Sequence, residues 1–303
     1  MESIDRRSFL RAAGALSLGA VAWACGKKTP SSSPASALSV ELTGPQQFAV
    51  GDTRVAFAIF RGPDPISPAD VKATVAPIGG KAIGVPLLRQ RVERGSGGSN
   101  TAGTQVADIY VLHHDFTAGT WVVDAATGGK HAQAAFQFLA KVPEPKIGDH
   151  AIASQSPTVA NHEGVDPICT RTPPCSMHQI SIADALQSGK PTVVLFATPE
   201  FCVSRTCGPT TDIVDGVAKQ FNGQANFIHI EVFKSIAAGQ QGMASETQGQ
   251  GVDANLNTPT FVEWKLGTEP YLYFIGTDGI IKDRWTGSVG PDEVKTRTAA
   301  LIG

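Results

Sequence analysis

The sequence contains no apolar run approaching the roughly 20 residues that span a bilayer, so a membrane-embedded body is not expected and any membrane contact falls to the N-terminus. Neither sign of charge dominates: 25 Lys and Arg face 27 Asp and Glu, with no block of like charge. No nucleic-acid or anionic-surface partner is therefore expected. Cysteine is scarce. Only five occur in 303 residues and none lies between Cys25 and Cys169, which excludes a disulfide from the first half beyond that point. The cysteines present are patterned: Cys25 stands alone, and Cys169/Cys175 and Cys202/Cys207 form two closely spaced pairs. A chain of this length suits two domains of roughly 100–150 residues and a leader rather than one core.

Residues 1–25 have the order of an export signal: Arg6-Arg7, then Phe9-Leu10, then a small and apolar stretch over 12–24 that is too short to span a membrane. Arg6-Arg7-Ser8-Phe9-Leu10-Arg11 resembles a twin-arginine signal, with Asp5 where Ser or Thr is usual. Ala22-Trp23-Ala24-Cys25 resembles a bacterial lipoprotein box, which implies lipidation of Cys25 and an anchor at the outer face of the cytoplasmic membrane or in the cell envelope. The alternative is ordinary cleavage with Cys25 unmodified. The Ser/Pro/Lys-rich tract 26–37 reads as a solvated tether. An exported chain meets an oxidising compartment, so its remaining four cysteines are free to pair.

Over 38–141, short alternating apolar runs at 38–42, 54–60, 71–77, 106–113, 121–126 and 134–139 are separated by turn signals such as Gly62-Pro63 and Gly119. This spacing predicts an all-β sandwich, immunoglobulin-like, without the disulfide of antibody domains. Arg94 to Gly103 is a Gly/Ser-rich loop within it, and the proline-marked segment 142–160 is the expected linker. The second domain occupies 161–303. From residue 179 helix and strand patterns alternate: a helix over 180–186 capped by Ser181, a buried strand over 191–197, a helix over 210–221 and a strand over 226–233. A hairpin around Thr277-Asp278-Gly279 and a closing helix over 292–302 complete an α/β domain with a mixed sheet.

Val193 to Phe196 leading to Cys202…Cys207-Gly208-Pro209, then a helix, Phe227 to Val232, Glu269-Pro270-Tyr271-Leu272-Tyr273-Phe274 and an Asp-Gly hairpin together resemble a thioredoxin-like protein. The layout with a leader and a sandwich resembles actinobacterial-type thioredoxin-domain lipoproteins. The resemblance implies a thioredoxin-like fold, and a cell-envelope thiol–disulfide oxidoreductase that cycles Cys202 and Cys207. Pro270 aligns with the cis-proline that faces the reactive cysteine and offers backbone hydrogen bonds to an extended substrate. The implied partners are thiols or disulfides of exported proteins, and no cofactor is expected.

A reactive thiol needs a lowered pKa, which a helix N-terminus supplies. Two alignments place it differently. One sets Phe201-Cys202 as the aromatic-Cys of thioredoxins, giving C-x4-C with Cys207 resolving. The other sets Cys207-Gly208-Pro209-Thr210 on Cys-Gly-Pro-Cys, with Cys202 resolving from outside the helix. Arg205 lies between the cysteines and is a candidate to support a thiolate or a solvated side chain. The acid buried beneath the pair in thioredoxins aligns with Leu195, so no general base is visible. Other readings are an inert disulfide in a non-catalytic binding module, and a peroxidase resembling the bacterioferritin-comigratory peroxiredoxins, whose Thr-to-Cys spacing is not kept by Thr198 and Cys202.

Cys169 and Cys175 sit in a proline-rich loop and read as a structural disulfide. They are alternatively an exchange partner of Cys202/Cys207, or a soft Cu(I) site made with Met177 and His178. His113-His114 reads as a strand end, His229 as packing in a strand, and Trp121 and Trp264 as core aromatics. The polar insert 237–257 is a cover over the thiols or a plain surface loop.

Overall fold

Apolar alternation sorts the first half into strands whose side chains divide between a shared interior and an outer face. The computed structural model describes residues 37–93, 106–204, 206–221, 223–248 and 252–303. The leader with Cys25, the tether up to residue 36, the Gly/Ser loop and Arg205 lie outside the described residues. Among the described residues, ten strands precede the first helix: β1 (Leu38–Leu42), β2 (Gln47–Ala49), β3 (Arg54–Arg61), β4 (Asp64–Ile66), β5 (Lys72–Pro77), β6 (Ile83–Val85), β7 (Leu88–Glu93), β8 (Val106–His113), β9 (Gly119–Thr127) and β10 (Lys130–Leu139). They form two five-stranded sheets, one ordered β1-β3-β8-β7 with β4 against β3, the other β2-β10-β9-β5-β6. All pairings are antiparallel except that of β2 with β10. Val55, Phe57, Ile59, Tyr110 and Leu112 of the first sheet meet Val75, Trp121, Val123, Phe136 and Phe138 of the second in one core.

The second half is built from α1 (Ile182–Gln187), β11 (Thr192–Phe196), α2 (Cys207–Phe221), β12 (Asn226–Ile230), α3 (Ile236–Thr247), α4 (Pro259–Glu263), β13 (Tyr271–Ile275), β14 (Ile281–Thr286) and α5 (Pro291–Ile302). Ser181 caps α1 by accepting from Asp184 N, as its position predicts. The sheet order is β12-β11-β13-β14, with β11 and β12 parallel and the other pairs antiparallel. This is the α/β unit with a mixed sheet that the helix and strand patterns predict. Alternation along the buried strands gives each face its own core. Val194, Phe196, Ile228, Ile230, Tyr273 and Trp264 lie on one side. Val193, Leu195, Val214, Leu272, Phe274 and all four described cysteines lie on the other.

The segment expected as a linker is packed. Gly148 N and Ala151 N donate to Ile281 O and Gly279 O, Ile281 N donates back to Asp149 O, and Trp264 Nε1 donates to Ser154 Oγ at 3.0 Å. The outer face of the β3/β8 sheet meets the α/β unit: Ala56, Val92, Ile109 and Val111 cluster with Ile213 of α2. Two ion pairs cross this contact. Arg54 reaches Glu293 through two bonds, at 2.9 and 2.7 Å, and Arg284 reaches Asp52 at 2.8 Å. Each of these side chains is 5% exposed or less.

Candidate functional site

The buried strand β11 delivers the chain into a loop that carries Cys202 and turns into α2 at Cys207, and the two cysteines are disulfide-bonded. Helix α2 therefore starts at the cysteine itself, three residues earlier than the apolar pattern predicts. Cys207 is fully buried, while Cys202 keeps 8% of its surface. Three groups surround Cys202 Sγ: the disulfide partner, the Cys207 backbone N–H, which donates at 3.4 Å, and Ser204 Oγ at 3.1 Å. The N–H belongs to the first residue of α2, where the helix dipole favours negative charge. Glu269 is buried, and a carboxylate oxygen of it lies within 4.8 Å of both sulfurs. The Glu269-Pro270 peptide bond is cis and leads directly into β13. Pro270 is thus carried by the same loop as a carboxylate that faces the disulfide.

The second pair behaves differently from the expected structural disulfide. Cys169 and Cys175 are free thiols with sulfurs 3.8 Å apart. Strand β12 places Phe227 and His229 on the α2 side of the sheet, and it brings His229 into the loop that carries these cysteines. His229 Nδ1 lies 3.4 Å from Cys175 Sγ and 3.8 Å from Cys169 Sγ, and His178 Nε2 lies 3.2 Å from Cys175 Sγ. All four residues are buried, and their donor atoms lie within 4.8 Å of one another. On its far side His229 Nε2 donates to Ala197 O at 3.0 Å, which leaves the Nδ1 lone pair facing the sulfurs. Met177 is buried in the apolar cluster, and its carbonyl accepts from His229 N.

The loop is tied down on both sides. Thr170 donates to Glu231 Oε1 through N at 2.5 Å and Oγ1 at 2.9 Å, and Thr170 Oγ1 accepts from Glu200 N at 3.2 Å. Ser176 donates to Asp215 on α2 through N and Oγ, at 2.8 and 2.7 Å, while Lys219 reaches the other oxygen at 2.7 Å. Arg171 pairs with Asp212 of the same helix.

Burial pushes the Glu231 carboxyl up to about 7 against the pull of His229 and Thr170. Burial holds His178 below the ordinary imidazole value. At His229 burial also opposes protonation, but contact with Cys169 and the charge of Glu231 outweigh it and raise the pKa. The thiol pair shares its charge. Contact with Cys175 and the two histidines favours the first thiolate, and the first thiolate then opposes the second.

Cys202, Cys207 and Pro270 are thus gathered at one end of the sheet, and Cys169, Cys175 and His178 are gathered at a second cluster. His229, read from the sequence as a packing residue, joins that cluster. Glu269 is a further residue that the sequence left unassigned, although its position before Pro270 was the available signal.

No family model and no curated relative matches the chain. Among solved structures it is similar to a thiol:disulfide interchange protein of the thioredoxin family from Chlorobium tepidum TLS. The two are 17% identical over 54% of this chain and 99% of that one, with a TM-score of 0.31. It is also similar to a thioredoxin-like superfamily protein at 17% identity, over 42% of this chain and 88% of that one, with a TM-score of 0.29.

Proposed function

We propose that the chain carries out thiol–disulfide exchange on exported proteins at the cell envelope, with Cys202 as the sulfur that meets the substrate and Cys207 as the resolving thiol. The observation that carries this reading is the disulfide at the start of α2: Cys202 is partly exposed and receives an N–H from the helix, while Cys207 is enclosed. A substrate thiolate attacks Cys202 Sγ, the Cys202–Cys207 bond breaks, and Cys207 leaves as a thiolate that takes up a proton. A second substrate thiol then attacks the mixed disulfide and expels Cys202 as a thiolate, stabilised by the Cys207 N–H and Ser204 Oγ. The substrate loses two electrons and two protons to form its disulfide, and the cysteine pair gains them. Run backwards, the same steps reduce a substrate disulfide.

Glu269 lies within one water's reach of both sulfurs and is the group that moves the proton at Cys207. Pro270, at the start of β13, presents the backbone on which an extended substrate docks. We place the protein at the envelope because of the export-like leader and lipid-box-like Cys25. Among the described residues no helix is long and apolar enough to cross a membrane. We read the first ten strands as immunoglobulin-like, a reading supported by β1-β3-β8-β7 facing β10-β9-β5 and by the parallel β2–β10 pairing.

Trapping tests the assignment of roles. Incubated with oxidised glutathione, Cys207→Ser is expected to accumulate a glutathione adduct on Cys202 that is released by added thiol, and Cys202→Ser is expected to label more than about tenfold less. Equal labelling, or labelling of Cys207 alone, would reverse the roles. No adduct on either variant would leave a binding module with a structural disulfide.

A further inference from the structure

We propose that Cys169, Cys175, His178 and His229 form a closed zinc site, separate from the exchange pair and independent of its assignment. The distances carry the argument. A disulfide needs sulfurs about 2.0 Å apart, and here they stand at 3.8 Å. A tetrahedral zinc ion with bonds of about 2.3 Å to sulfur and 2.0–2.1 Å to nitrogen holds two sulfurs about 3.8 Å apart and a sulfur and a nitrogen about 3.5 Å apart. Three of the four sulfur-to-nitrogen separations are 3.2, 3.4 and 3.8 Å, scattered about that value, and the fourth lies within 4.8 Å. Four donors from two cysteines and two histidines fill a tetrahedron and leave no open position, the pattern of a structural site.

Charge selects the ion. Binding converts two thiols into thiolates and releases two protons, while the imidazoles bind neutral. Two thiolates cancel the charge of Zn²⁺, so the filled site is neutral where all four ligands are buried. Cu(I) would leave one uncompensated negative charge among these buried ligands. Behind His229 the support has the form that zinc histidines require, while His178 Nδ1 has no hydrogen-bond partner among the described residues. The His229 Nε2 bond to Ala197 O fixes the ring and its tautomer. Ala197 directly follows the strand that feeds the Cys202 loop, and Thr170, next to Cys169, accepts from Glu200 N. The metal therefore clamps the 166–178 loop, which has little apolar surface of its own, against β12 and against the backbone entering the exchange site.

The test uses the full chain, purified without chelator, with metal content measured by elemental mass spectrometry and thiols mapped by alkylation. The expected result is one zinc per chain, with Cys169 and Cys175 protected until zinc is removed. Co²⁺ added to the stripped protein should then give visible bands of tetrahedral intensity with a sulfur-to-metal charge-transfer band. His229→Gln should weaken zinc binding by at least about 100-fold, the upper range for losing a partner behind a ligand. If that variant does not fold, the cobalt spectrum of the unmodified chain decides. A metal-free chain with a Cys169–Cys175 disulfide, an octahedral cobalt spectrum, or uptake of copper(I) in preference to zinc would each overturn the proposal.

Discussion

Of the two disulfide-bonded residues only Cys202 keeps exposed surface, and a carboxylate oxygen of Glu269 stands within 4.8 Å of both sulfurs. A thiolate leaving at a fully buried sulfur needs a nearby proton, because the low dielectric penalises the bare charge. Glu269→Gln is therefore expected to slow reduction of the pair by dithiothreitol about 100-fold near neutral pH and to flatten its pH profile, with an unchanged melting temperature. An unaltered rate would remove Glu269 from the mechanism. The chain order hides this residue. Thioredoxin-like spacing directs the search for an acid to β11, where Leu195 stands, whereas the carboxylate arrives from the loop before β13, more than sixty residues on. His229 is hidden for a similar reason. A single histidine in an apolar strand reads as packing, and its role emerges only when the β11–β12 pairing and the 166–178 loop bring it to Cys175. The cysteines and Pro270 were legible because their spacing is local.

Among the elements, helix α2 does more than start at Cys207. Asp215, about two turns further along, clasps the 166–178 loop through Ser176 and pairs with Lys219. Burial would raise its pKa, but the bonds from Lys219 and Ser176 outweigh it and hold the carboxyl below its ordinary 3.8. The folded state therefore binds this proton less readily than the unfolded chain. Its stabilisation is complete above the ordinary value and is lost as pH falls through the lower folded value. Asp215→Asn is expected to cost about 1–3 kcal/mol in urea unfolding at pH 7, and the gap from the unmodified chain should close on acidification below pH 4. A constant gap would mean that the loss is packing rather than charge. Strands β11 and β13 were legible because their buried apolar runs leave few alternatives, and β14 because the Asp278-Gly279 turn sets it off. Strands β2, β4 and β6 are three residues each, too short for a period to show. Helix α3 was obscured by its glycines, which serve close approach: a Cβ at Gly239 would stand 2.1 Å from the Phe201 ring, and one at Gly242 would stand 2.0 Å from the Phe233 ring. The polar insert is thus in part a helix packed on the residue before Cys202.

At the scale of the molecule, the sandwich and the α/β unit are joined by charges removed from water. Arg54 is 2% and Glu293 5% exposed, and the guanidinium also bonds Ser288 O at 2.7 Å and lies over the Trp285 ring at 5.0 Å. Removing one partner leaves a buried charge uncompensated, so Glu293→Gln is expected to lower the unfolding free energy by about 3–5 kcal/mol. Calorimetry should show one transition for the unmodified chain and a lower midpoint for the variant. A loss below about 1 kcal/mol would mean that the two halves are not coupled through this pair. The strand-rich first part and the alternation of helix and strand in the second were legible from their apolar patterns. Their contact was not, because Arg54, Asp52, Arg284 and Glu293 carry no local pattern and meet across more than 230 positions.

The reduction potential of Cys202–Cys207 in the full chain, measured by glutathione and dithiothreitol titration with alkylation mapping of each cysteine, tests the exchange reading most directly. This pair alone is expected to equilibrate at roughly −120 to −270 mV in the folded protein, with Cys169 and Cys175 unchanged. A pair that resists reduction below about −300 mV, or that opens only when the chain unfolds, would contradict it.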